Sequence, residues 1–138
     1  MIKNIIFLTI FIFSQIGFSQ LSNKHWIPPL HSRDITAIQD HYIYLSTPET
    51  TPFTVTITDG LGTPITGSPF TISATSPVSV LIGNGSNTKM FVDISRVNTV
   101  LIDRGLILEG SKDFYVSFRM RHTSHAETLI SKGISGKG

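Results

Sequence analysis

Cysteine is absent from the 138-residue chain, so no disulfide framework supplements whatever core it builds. Charge is scarce as well: Asp, Glu, Lys and Arg make up 14% of the residues, against about 25% in an ordinary globular domain. The formal net charge is +2, and once Lys3 is removed with the leader described below, ten Lys and Arg face nine Asp and Glu. So even a balance points to neither nucleic acid nor acidic lipid as a partner. No internal repeat of fixed period is visible. No sustained helical period runs through the chain, and no apolar run reaches the roughly 20 residues that cross a bilayer.

The longest apolar run lies at the start. Lys3 supplies a positive n-region, residues 5–13 are apolar except for Thr9, and Gly17-Phe18-Ser19 places small residues where a signal peptidase cuts. Residues 1–19 therefore read as a signal peptide taken up by the Sec machinery, with cleavage after Ser19. The mature chain is expected to be secreted or held at the cell surface, with no transmembrane span. An exported β-rich chain without cysteine fits a bacterial envelope or extracellular protein better than a small eukaryotic secreted domain.

Residues 20–40 carry Trp26, Pro28-Pro29 and no sustained period, and read as an extended lead-in with Trp26 as a plug over the core. Residues 41–138 read as the domain itself. Ile43 and Leu45 alternate with Tyr42, Tyr44 and Ser46 until Pro48 stops the strand. Phe53, Val55 and Ile57 alternate with threonines, and Asp59-Gly60 and Gly62-Thr63-Pro64 mark the turn beyond. Phe70, Ile72 and Ala74 form a further inward set, then Val78, Val80 and Ile82 before the turn pair Asn84-Gly85. Residues 90–94 read as the returning strand, residues 93–98 as one helical turn at most, and residues 126–131 as a last strand.

The clearest periodicity lies in GLILEGSKDFYVSFRMR, residues 105–121. Phe114, Val116, Phe118 and Met120 alternate with Tyr115, Ser117, Arg119 and Arg121, which puts four apolar side chains on one face of a strand. Leu106 and Leu108 precede Gly110-Ser111-Lys112-Asp113, a connection of the length that closes an antiparallel hairpin. The expected fold is all-β, an antiparallel β-sandwich or partial sandwich of six to nine short strands. The glycine-rich residues 133–138 give it no terminal element, and the domain is expected to be incomplete at its C-terminus.

None of the candidate sites carries chemistry. The histidine pairs His25 with His31 and His122 with His125 match no zinc-site spacing, and histidines in loops and at strand ends are usually solvated or hydrogen-bonded, so no metal is expected. Gly83-Asn84-Gly85-Ser86-Asn87 lacks the closing glycine of a nucleophile elbow, and residues 133–137 fail the phosphate-loop spacing. Asn84-Gly85-Ser86 is formally a glycosylation sequon but reads as turn chemistry, and the single carboxylate of the Asp59 loop reads as a turn residue and not a calcium ligand. Tyr115 shares a strand face with Arg119 and Arg121, and these three form the candidate ligand-binding face, through stacking or bidentate anion contacts. The reading is of a non-enzymatic module with no cofactor.

Together these phrases resemble the N-terminal, IgGFc-binding-like region of large secreted proteins of flavobacteria and their relatives, which often end in a gliding-motility-associated sorting domain. The resemblance rests on HWIPPL (25–30), DHYIYLSTP (40–48), PVSVLIGNG (77–85), GLILEGSKDFYVSFRMR (105–121) and HAETLISKG (125–133), and covers nearly all of residues 21–138. It implies a β-rich binding or adhesion region at the cell exterior, exported by the type IX system, with an extracellular protein or glycan as partner and no catalytic residues. The strands and sorting domain expected after Gly138 are missing, so the chain looks like an N-terminal fragment of such a protein. Two further expectations are a carbohydrate-binding accessory module of a secreted enzyme, with Trp26, Tyr42, Tyr44 or Tyr115 as a stacking platform, and a fragment without function of its own.

Overall fold

Six apolar side chains of residues 106–120 fall on even-numbered positions, Leu106, Leu108, Phe114, Val116, Phe118 and Met120, with Ile107 on the odd-numbered side. A four-residue loop at 110–113 would set Leu108 opposite Tyr115, and directly opposed residues share a face, so the two apolar sets would end on opposite sides. A continuous strand puts all six on one side. A computed structural model, describing residues 20–31, 38–85, 88–121 and 126–136, shows the continuous strand. The expected hairpin is therefore corrected to one 16-residue strand, Leu106–Arg121, in which all six side chains are at most 2% exposed.

Seven strands occur among the described residues: β1 (Ser22–Ile27), β2 (Gln39–Ser46), β3 (Phe53–Asp59), β4 (Phe70–Ile72), β5 (Val78–Gly83), β6 (Leu106–Arg121) and β7 (Ala126–Ile130). Every pairing between them is antiparallel, and no α-helix is present among the described residues, so the fold is all-β. The 3-10 turn Ile94–Arg96 falls where a single helical turn was expected. A second, Gly133–Gly136, occupies the stretch expected to carry no element.

Four strands pair with β6. β2 and β7 both pair with its second half and so take opposite edges, as do β1 and β3 along its first half. Along one edge β2 runs on into β3, with the Thr47 hydroxyl donating to the Asp113 carbonyl at 2.8 Å where the two meet. Along the other, β7 and β1 lie end to end: Ser131 N–H donates to Val116 O at 3.1 Å, and Ser22 then stands opposite Phe114. The sheet path β4-β3-β6-β2-β5 curls until its ends approach at the Ser73–Ser76 bridge, giving a nearly closed barrel-like sheet. Gly110 lies near the middle of β6, where an added Cβ would stand 3.0 Å from the Phe53 ring and 3.1 Å from that of Phe114.

The core forms where the inward sets converge: Ile27 of β1, Ile43 and Leu45 of β2, Phe53, Val55 and Ile57 of β3, Ile72 of β4 and Val80 of β5, all against β6. Each contributes roughly 1.5–3 kcal/mol by burial, before the entropy of ordering is set against it. Residues 90–94 make no returning strand. Met90, Phe91 and Val92 are buried in succession instead, held by a parallel bridge in which Leu30 N–H donates to Met90 O and Val92 N–H to Leu30 O, both at 2.9 Å. Trp26 is not the plug either. The buried residues of β1 are Ser22, His25 and Ile27, while Trp26 is half-buried on the outer side with the Lys24 ammonium 5.3 Å from its ring centre. Residues 20–40 thus contain a paired strand and the start of β2. Among the described residues no helix is long and apolar enough to cross a membrane.

Candidate ligand-binding face

Alternation along β2 and β6 that drives Ile43, Leu45, Val116 and Phe118 inward necessarily turns their neighbours out. Cross-strand register then assembles those outward residues into rows. Tyr42 stands between Leu81 of β5 and Arg119 of β6, and Arg119 in turn faces Thr128 of β7. In the next row Tyr44 stands between Ser79 and Ser117, with Ile130 beyond, and one step further Ser46 faces Tyr115. All three tyrosines of the protein therefore lie on one outer face. Tyr44 is 40% exposed and Tyr115 41%. The rings of Tyr42 and Tyr44 lie 6.1 Å apart at 32° to each other, close to a continuous aromatic floor.

Arg119 and Arg121 share this face with Tyr115, as the alternation requires. Asp40, Tyr42, Tyr44, Arg119 and Arg121 line an open hollow of about 350 Å³, within the range of small-ligand sites. Asp40 has a left-handed backbone (φ 53°) with its N–H donating to Asn84 Oδ1 at 2.7 Å, and its carboxylate takes the Arg121 guanidinium at 2.6 Å. Arg119 has no carboxylate within ion-pair distance among the described residues. Among the described residues the hollow thus holds two guanidinium groups against one carboxylate, and Arg119 is the one without an ion pair. Tyr115 lies beyond the hollow, four residues or about 13 Å along β6 from Arg119. Sequence alternation groups Tyr115, Arg119 and Arg121; the addition of Tyr42, Tyr44 and Asp40 is a consequence of strand register.

Two histidines are hydrogen-bonded deep in the fold, with no solvent contact. His25 and His41 are 0% exposed. His25 Nε2 lies 3.0 Å from the Ser22 carbonyl and 2.9 Å from that of Phe114, so this nitrogen carries the proton and Nδ1 accepts from Ser131 Oγ at 2.9 Å. His41 repeats the arrangement, with Nε2–H donating to Ile38 O and Nδ1 accepting from Thr88 Oγ1, both at 2.8 Å. Burial pushes both imidazoles below the ordinary histidine range, outweighing the carbonyls that favour the charged form. Each ring also packs on a phenylalanine of β6: His25 on Phe114 at 4.7 Å, His41 edge-on to Phe118 at 6.2 Å. With both nitrogens saturated by protein, neither ring is a metal ligand or a general base. His31 bonds Val92 O at 2.8 Å, whereas His122 and His125 lie outside the described residues. Among the described residues no three His, Asp or Glu side chains cluster as a metal site would need.

The Asp59 loop is the turn it was read to be. Asp59 Oδ1 accepts from the N–H groups of Leu61 and Thr63 at 2.9 Å each, and Oδ2 pairs with Lys89 at 3.0 Å. These partners hold its carboxyl below the usual range. Asn84 and Gly85 are likewise engaged, Gly85 N–H donating to Ile38 O at 2.8 Å, while Ser86 lies outside the described residues. No protein-family model, no curated protein and no solved structure matches this chain, so its outer face stands on geometry alone.

Proposed function

We propose that this protein is a non-enzymatic binding module of the cell exterior, adhesive in character, which engages an extracellular glycan or protein through the outer face of β5, β2, β6 and β7. The observation that carries the reading is the convergence of Tyr42, Tyr44 and Tyr115 with Arg119 and Arg121 on one exposed sheet face. Tyrosine and arginine contribute contact area with few rotatable bonds and strong hydrogen bonds, the chemistry of binding hot spots. Export through the leader of residues 1–19 and the family resemblance both fit this setting. The Tyr42–Tyr44 floor at 6.1 Å favours one narrower version, a carbohydrate-binding accessory module of a secreted enzyme. An array of glycans and extracellular matrix proteins probed with the full chain tests the proposal. Retention of a ligand, lost when Tyr42, Tyr44 and Tyr115 are all changed to Ala, is the expected result. Retention undiminished in that triple variant, or none at all by the native chain, overturns it.

A further inference from the structure

We infer that the ligand of this face is an anionic saccharide, a uronic acid-bearing or similarly acidic glycan chain, a deepening that rests on the binding role proposed above. Three features of the hollow choose this chemistry. The first is charge: Arg121 is occupied by Asp40, but Arg119 projects beside Tyr42 with no carboxylate partner among the described residues. A planar guanidinium on an open face takes a carboxylate through two parallel N–H···O bonds, and its own hydration opposes this less than that of an ammonium would.

Aromatic geometry is the second feature. Tyr42 and Tyr44 present two rings 6.1 Å apart and inclined by 32°, a floor on which the apolar face of a pyranose ring packs while its hydroxyls stay wet. Tyr115 repeats the contact further along the same face, on the line of an extended chain. The third is polarity: Ser46, Ser79, Ser117 and Thr128 occupy the positions between and beside the aromatic and cationic residues. A protein partner would be better served by an apolar centre with a polar rim, whereas here rings, guanidinium and hydroxyl groups fill the centre and the exposed apolar side chains, Leu81 of β5 and Ile130 of β7, stand on the outer strands. Asp40 has a defined part in this scheme: it orients Arg121 at the edge of the hollow and disfavours an anion at that end, so the carboxylate of the sugar is directed to Arg119.

Calorimetric titration of the full chain with oligogalacturonate, oligomannuronate and, as neutral counterparts, cello-oligosaccharide and malto-oligosaccharide tests the assignment, with thermal melts to verify that every variant folds. Expected are saturable binding of a uronate oligomer, weakening as salt is raised, and a loss of about tenfold or more in Arg119→Ala, from removal of a charged hydrogen-bonding pair. Arg119→Lys should recover only part, because the bidentate geometry goes while the charge stays. Equal affinity for neutral oligosaccharides with no effect of Arg119→Ala overturns the anionic assignment and leaves the tyrosine face standing. Protein ligands retained without any saccharide overturn it too, again without touching the binding role. Failure of the tyrosine triple variant to change any binding overturns the binding role itself.

Discussion

His25 Nδ1 accepts a hydrogen bond from Ser131 Oγ across 2.9 Å, and that bond joins the first strand to the residue that follows the last. Ser131 Oγ also accepts from Gly133 N–H at 3.2 Å, just as Thr88 Oγ1 accepts from Met90 N–H at 3.3 Å while donating to His41. In each case a buried imidazole donates to a backbone carbonyl three residues earlier in the chain and receives from a hydroxyl that also holds the N–H two residues beyond itself. The two devices sit where register shifts, between Ser22 and Lys24 in β1 and at His41–Tyr42 in β2. A register shift leaves backbone groups unpaired by the ladder, and a neutral imidazole with one donor and one acceptor satisfies them.

Ser131→Ala removes the hydroxyl that serves both His25 and Gly133. A buried acceptor left without its donor costs about 1–3 kcal/mol, so urea unfolding should show a loss of that size with an unchanged m-value. Thr88→Val, which keeps the shape and removes the hydroxyl, should behave alike at His41. Wild-type stability in both variants would show that water replaces the hydroxyls at no cost.

Stability should fall on acidification through the histidine range. The unfolded chain takes up a proton at each imidazole near pH 6.5, whereas folded His25 and His41 resist protonation to lower pH. More protons bound by the unfolded state means stability rising with pH, complete above about 6.5 and eroding below it until the folded imidazoles titrate as well. Asp59, Asp93 and Asp103, with carboxyls held below their usual range, add their own losses further down. Melting curves between pH 7 and pH 5 read the effect, and a midpoint flat across that window would contradict the burial of the two rings.

Leu108→Ala and Phe114→Ala should both be severe, about 2–5 and 3–5 kcal/mol respectively, because a continuous β6 sends both side chains into one core. A hairpin closing at 110–113 would have turned one of them to solvent. Denaturant midpoints of the two variants discriminate: a mild Leu108→Ala beside a severe Phe114→Ala would contradict the single strand.

Gly133→Ala should weaken the junction of β7 with β1. The residue has φ +59°, and an added Cβ would collide with Ser22 Cβ and come within 3.3 Å of His25 Cε1. Strain of about 1–3 kcal/mol is expected, with hydrogen exchange accelerating first in β1 and β7. Uniform exchange across the sheet would place the effect elsewhere.

Arg119→Ala and Tyr44→Ala should leave stability within about 0.5 kcal/mol, since these side chains reach out from the sheet and Arg119 has no ion-pair partner among the described residues. Arg121→Ala removes an exposed pair worth at most about 1 kcal/mol. Thermal melts of all three check that any binding defect belongs to the face and not to unfolding.

Alternation alone determines the all-β class, the strands around Ile43, Val55, Ile72, Val80 and Phe118, and the grouping of Tyr115 with Arg119 and Arg121, because a period of two is a local property of an extended backbone. The parity shared by Leu106, Leu108 and Phe114 favours one continuous strand, but Ile107 on the other side and the turn-favouring Gly110-Ser111-Lys112-Asp113 suit a hairpin as well, and it is the pairing of both halves with different strands that decides. Burial of His25 and His41 is not legible, because a histidine in a polar stretch looks the same whether water or a distant Ser131 and Thr88 bind its nitrogens. Only tertiary structure decides such partners, and only it brings Tyr42 and Tyr44 beside Arg119: β2 and β6 lie far apart in the chain, and their register is set by which apolar rows fill one interior together.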